Sequence, residues 1–134
     1  MLQDMSIIGY VFANTLNYSG RARRKEYWLF ALFYLLFAAV FFAVDYKLGW
    51  FDWDLVLGPL TGVWALFTFP TNLAVTVRRL HDSGKSGWWY LIFWAPLVGP
   101  FIMLGLMLAG GTHGDNEYGP DPLGRESKSA DSSL

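Results

Sequence analysis

The densest polar chemistry of the chain is one run, Arg78-Arg79-Leu80-His81-Asp82-Ser83-Gly84-Lys85-Ser86-Gly87. Arg78, Arg79 and Lys85 suit an anionic headgroup or a phosphate, and the basic run Arg21, Arg23, Arg24 and Lys25 can join them. On a helix, Arg78 and Asp82 stand one turn apart and can pair. Gly84 can supply the left-handed residue that ends a helix, and Ser86 can cap the next one. These devices alone describe a tight, well-capped hairpin. His81 beside Asp82 resembles a base and its orienter, but neighbours on a helix point apart. No partner nucleophile can be named for His81, so no catalytic residue is assigned. Gly84-Lys85-Ser86 is not a phosphate loop, because Arg79 stands where that pattern needs its first glycine. The acidic residues Asp115, Glu117 and Asp121, with Asn116, miss the spacing of a calcium loop. No metal and no cofactor is expected.

Three uncharged runs must position this chemistry: 27–44, 55–77 and 88–109, of 18, 23 and 22 residues. As helices they extend roughly 27, 34 and 33 Å, against a hydrocarbon core of about 30 Å. Each is apolar on every face, unlike an amphipathic helix of a soluble core. Only 71 of the 134 residues would remain to cover them in a soluble protein. The expected fold is therefore an all-α integral membrane protein, a small bundle of three transmembrane helices. Pro59 and Pro70 interrupt 55–77, which makes that run the candidate for a re-entrant segment. Pro70 leaves the Leu66 carbonyl without its helical donor, which nearby Thr or Asn can replace, and Asn72 could instead bond across helices. Gly58 and Gly62, and Gly105 and Ala109, form small-residue pairs near the outer ends of their runs, where helices or a second copy could approach.

Residues 5–18 carry Ile7, Ile8, Val11, Phe12 and Leu16 at helical spacing, which predicts a short amphipathic helix at the membrane surface. No cleavable leader is expected there, because the apolar stretch is short and precedes the basic cluster. Residues 110–124 are rich in turn formers, and the Ser-rich tail 125–134 is expected to be disordered. Residues 1–124 thus make one membrane domain. Seven basic residues fall before the first run and between the second and third, against three elsewhere. The positive-inside rule puts the N-terminus and the 78–87 loop in the cytoplasm, and the tail outside. His81 and His113 then lie on opposite sides, which disfavours a shared metal site.

Composition excludes other classes. Charged residues make up 16% and hydrophobic ones 54%, and the net charge is −1, which leaves no basic footprint for nucleic acid. The chain has no cysteine, so a disulfide scaffold and a thiol nucleophile are excluded. No Asp, Glu, Lys, Arg or His lies inside the three runs, which disfavours an ion-coupled transporter.

Three motifs occur together: Gly20-Arg21-Ala22-Arg23-Arg24-Lys25-Glu26-Tyr27-Trp28; the 78–87 run with Trp88-Trp89; and Asn116-Glu117-Tyr118-Gly119-Pro120-Asp121-Pro122. In order and spacing they resemble the domain-of-unknown-function 805 family of small bacterial inner-membrane proteins, over about Tyr10 to Pro122. The resemblance implies a bacterial inner-membrane location and no established activity, and it supplies no catalytic residues. It also raises a tension, since three motifs that build one site should share a side of the membrane. The leading expectation is a non-enzymatic protein that binds a partner protein or anionic lipid headgroups. Its candidate residues are Arg21, Arg23, Arg24, Arg78, Arg79, His81, Asp82 and Lys85. Asn116, Tyr118, Gly119, Pro120 and Asp121 form a tail motif without an assigned role. The alternatives are an interfacial enzyme acting on a lipid or isoprenoid phosphate, and a subunit of a small transporter or channel. A homo-oligomer or a membrane-protein partner fits the small-residue faces.

Overall fold

A computed structural model describes residues 2–125. The residues of the Ser-rich tail beyond 125 lie outside the described part. The elements are α1 (Leu2–Ala13), α2 (Arg24–Lys47), α3 (Pro59–Asp82), a 3-10 helix (Gly87–Trp94) and α4 (Gly99–Leu108). Among the described residues there is no strand beyond two isolated bridges.

Helices α2 and α3 form the frame. Each has 24 residues and is long and apolar enough to cross a membrane. Their outward surfaces are apolar, with Leu32, Leu36 and Leu66 more than 60% exposed. Such a surface is stable in hydrocarbon and not in water. The two helices run antiparallel about Trp64, whose ring stacks on Tyr34 and Phe37 and whose Nε1 donates to Tyr34 O at 3.2 Å.

At one end of this pair, Asp45 of α2 closes the start of α3. Its carboxylate accepts from Leu60 N, Thr61 N and Thr61 Oγ1 at 3.2, 2.8 and 2.8 Å. This satisfies amides that a helix start leaves without partners. Gly58 lies against that side chain, where a Cβ would collide with it. Pro59 occupies the first turn of α3, where the missing N–H costs nothing.

Pro70 is absorbed within α3, contrary to the expectation that 55–77 would be the irregular run. Thr68 Oγ1 donates to Trp64 O at 2.7 Å and Asn72 Nδ2 to Thr68 O at 3.1 Å. Asn72 thus bonds within its own helix, and neither side chain reaches the Leu66 carbonyl.

The run 88–109 is not one transmembrane helix. It folds as the 3-10 helix, a turn at Ala95–Val98, and α4. The two pieces rise roughly 16 and 15 Å, each about half of a 30 Å core. Pro96 forces the break: it lacks a donor and holds Ala95 extended, at ψ 124°. Leu97 then adopts a left-handed φ of 68°, and Gly99 packs against the Ile92 carbonyl with no room for a Cβ. Both ends of this hairpin return to the same end of α3. Gly87 lies against Val77, and the Arg79 guanidinium donates to Met107 O, at 3.3 Å, and to Ala109 O. Gly105 and Ala109 accordingly stand near this charged end rather than the far one, and nothing packs within contact of Gly105.

Helix α1 ends at Ala13, short of the expected 18, and is packed into the bundle. Val11 is fully buried with Phe30 and Val75, and Phe12 meets Phe30, Phe33 and Phe67.

Candidate functional site

The site lies where α3 ends. Gly84 has φ 74°, Gly84 N donates to His81 O at 3.0 Å, and Lys85 N to Leu80 O at 2.9 Å. This pair of bonds is the Schellman stop that glycine allows. Ser86 Oγ accepts from Trp88 N at 3.3 Å and opens the 3-10 helix. The turn thus follows the sequence expectation closely.

The ion pairs do not. Arg78 pairs with Glu26 of α2, Nη1 to Oε1 at 2.9 Å, and not with Asp82. Asp82 takes Arg79 Nη1 at 2.8 Å on one oxygen and Arg21 Nε at 3.0 Å on the other. Arg21 also donates to Thr112 O at 2.6 Å and Gly114 O at 2.7 Å. These side chains are almost wholly buried: 1% exposed for Arg21, 2% for Arg78, none for Arg79 and 4% for Asp82. Three buried guanidinium groups, of Arg21, Arg78 and Arg79, face three buried carboxylates, of Glu26, Asp82 and Asp121. Buried charge is tolerated when paired in this way.

The tail motif docks on the same cluster. Asn116 Nδ2 donates to His81 O at 2.9 Å, and the Tyr118 ring stacks on His81 with centroids 4.1 Å apart. His81 Nδ1 lies 3.0 Å from Gly20 O. Gly119 O lies 3.4 Å from Arg21 Nη1, and Pro120 is exposed at the rim. Asp121 accepts from Gly114 N, Leu123 N and Arg125 Nε at 2.9, 2.9 and 3.0 Å. Burial by itself would raise the Asp121 carboxyl, but these donors, Arg125 foremost, hold it well below the usual carboxylate range. Burial and the neighbouring Glu117 push the Tyr118 hydroxyl up.

All three motifs therefore meet at one end of the bundle, and the tension in the three-span reading disappears. The 116–122 motif does not lie at the far end, because 88–109 turns back. Arg125 joins the charged end, so Lys47 is the only Lys or Arg at the other end among the described residues.

The remaining candidates stand outside this ion-pair cluster, which locks the tail motif to α3. Arg23 is half-buried, and its side chain makes no hydrogen bond or ion pair with a described residue. It lines a polar cavity of about 450 Å³ with Ser6, Tyr10, Arg21, Glu26 and Pro122. Arg24 is exposed and donates to Leu108 O at 3.2 Å. Lys85 is half-buried in the turn. Two buried nitrogens of Arg78, Nε and Nη2, have no partner among the described residues, and the Tyr10 ring lies 5.9 Å from its guanidinium carbon.

Sequence reasoning assigned no role to Glu26, Gly111, Thr112 or Arg125. Glu26 and Arg78 are 52 residues apart, and no periodicity connects them. Gly111 leaves room only for Asp82 to approach. The missed signal for the hairpin was Pro96 followed by Gly99 and Pro100, inside an otherwise uncharged run.

Comparison with known proteins finds a family and relatives that are inner membrane proteins. A family model described as "Protein of unknown function (DUF805)" matches residues 15–120. The inner membrane protein YhaH of Escherichia coli K12 is 41% identical over 112 residues, 84% of this chain and 92% of its own length. The inner membrane protein YhaI of the same organism is also 41% identical, over 84% of this chain and 91% of its own. The uncharacterized protein YiiR is 30% identical, over 78% and 85%. No solved structure matches.

Proposed function

The chain belongs to the DUF805 family, and from that membership and the charged end just described we propose a lipid-binding role. In this reading it is a bacterial inner-membrane protein with two spans, α2 and α3, and one re-entrant hairpin. Its charged end faces the cytoplasm, a placement that the distribution of Lys and Arg supports. It binds anionic lipid headgroups there.

The observation that carries the reading is Arg23. Three arginines of the motifs, Arg21, Arg78 and Arg79, are occupied by carboxylates of the chain itself. Arg23 has no ion pair with a described residue, acts on Glu26 only through space, and lines a polar cavity. The Glu26 carboxylate in the same wall is balanced by Arg78. A phosphate entering there meets a guanidinium fork and is attracted over the range of a Debye length.

The enzyme alternative needs a proton carrier, and His81 is its only candidate. That imidazole is held by Gly20 O and covered by Tyr118, which makes it a packing element.

The test is titration of phosphatidylglycerol into the purified protein in neutral detergent, followed by thermal unfolding. Wild type is expected to be stabilised in a salt-dependent manner, and Arg23→Gln to need several-fold more lipid for the same shift. An unchanged titration in Arg23→Gln removes the reading.

A further inference from the structure

A second cavity, of about 530 Å³, lies between α2, α3 and the re-entrant hairpin and shares no lining residue with the cavity at Arg23. Its walls are mostly apolar: Ala31 and Leu35 from α2, Ala65 and Phe69 from α3, Phe93 and Leu104 from the hairpin. The amide of Asn72, which also lines it, is already engaged with Thr68 O. Leu35, Phe93 and Leu104 are 61, 41 and 47% exposed, so the groove opens sideways toward the hydrocarbon.

Its length and its ends define the occupant. From Ala65 to Thr76, both of which line the groove, α3 rises roughly 16 Å, the depth of one leaflet of a 30 Å core. The deep end is set by the hairpin, whose pieces stop at mid-membrane. The other end is framed by Trp28, whose Nε1 donates to Met107 O at 3.3 Å. One helical turn beyond stands Arg24, exposed, bonded to Leu108 O, and in no ion pair with a described residue. An apolar slot one leaflet deep, with an uncompensated guanidinium at its mouth, complements an amphiphile with one long chain and an anionic head.

We propose that this groove holds one acyl chain of an anionic glycerophospholipid, with its phosphate at Arg24. The proposal rests on the charged end lying at headgroup level, as in the reading above, but it uses different residues. Only one chain enters, and the second stays in the bilayer.

The experiment is native mass spectrometry of the full chain, extracted in mild detergent from vesicles of equal parts phosphatidylglycerol and phosphatidylcholine. Wild type is expected to retain one phosphatidylglycerol. Ala65→Trp, which fills the groove, is expected to lower the retained fraction at least fivefold. Arg24→Gln is expected to abolish the preference for phosphatidylglycerol, and Lys47→Gln, at the other end of the bundle, to leave it intact. A second measurement needs no variant. Lysophosphatidylglycerol, with one chain, should displace the retained lipid, and glycerol phosphate, with none, should not.

Retention by Ala65→Trp equal to wild type overturns the proposal, as does equal retention of the two lipids by wild type. Displacement by glycerol phosphate overturns it too, because the head alone would then account for binding. Loss of the lipid in Arg23→Gln but not in Ala65→Trp overturns the groove and leaves the headgroup cavity standing.

Discussion

Asp82 joins three segments of chain at one carboxylate and one carbonyl. Its two oxygens take Arg21 and Arg79, and its backbone oxygen takes Thr112 N at 2.6 Å. Asparagine would keep the shape and remove the charge, leaving two buried guanidinium groups short of a counter-ion. Breaking one partner of a buried pair costs about 3–5 kcal/mol. Asp82→Asn is therefore expected to lower the midpoint of denaturant unfolding in mixed micelles strongly. Asp121 gives the complementary pH effect. Its native carboxyl titrates below the value of 3.8 that it has when free. A depressed native value means that its stabilisation is complete above about pH 4 and is lost as pH falls through the native value. The protection of the Gly114 and Leu123 amides, which bond Asp121, relative to their intrinsic exchange rates should fall on acidification below pH 4. Asp121→Asn should show low protection at every pH.

Helices α2 and α3 were visible as elements because hydropathy is additive along a chain and both are continuous. Their coupling was not visible. Asp45 reads as one more acid in a polar loop, yet it caps a helix that starts fourteen residues later, at Pro59. Asp45→Ala is expected to cost about 1–3 kcal/mol, since buried amides lose their acceptor, and Asp45→Asn less. Thermal unfolding of the two variants in one detergent checks the order. The hairpin shows the converse failure. Its composition is that of a spanning helix, but a run of 22 uncharged residues spans only if its backbone stays helical throughout. Pro96 and the close approach at Gly99 prevent that. Pro70 carries the same residue type into α3 without breaking it, with Thr68 and Asn72 bonded back to carbonyls of the helix.

At the scale of the molecule, the returning hairpin decides which parts share a side. The chain has no native cysteine, so single cysteines can report it directly. Cysteines replacing Ser19, Ser86 and Glu117 are expected to stay unlabelled by an impermeant maleimide in intact cells and to react after lysis. One replacing Asp54 is expected to react in both conditions. Labelling of Glu117→Cys in intact cells would restore three spans and dismantle the lock. The lock also explains why the basic motifs present so few free cations. Charge that would otherwise lie at the surface is spent on holding the tail against α3.

The sequence by itself determined the solvent, the two long helices, the capped turn at 83–86 and the three motifs. Each depends on residues within a few turns of one another, where composition and spacing act directly. Only the tertiary structure decided that Arg78 pairs with Glu26, that Asp82 serves Arg21 and Arg79, and that the tail docks on His81. The partners in two of these contacts are 52 and 61 residues apart. A buried guanidinium takes whichever carboxylate the fold brings within reach. Which one that is follows from how α2 packs on α3, and where the hairpin turns back decides only the docking of the tail motif.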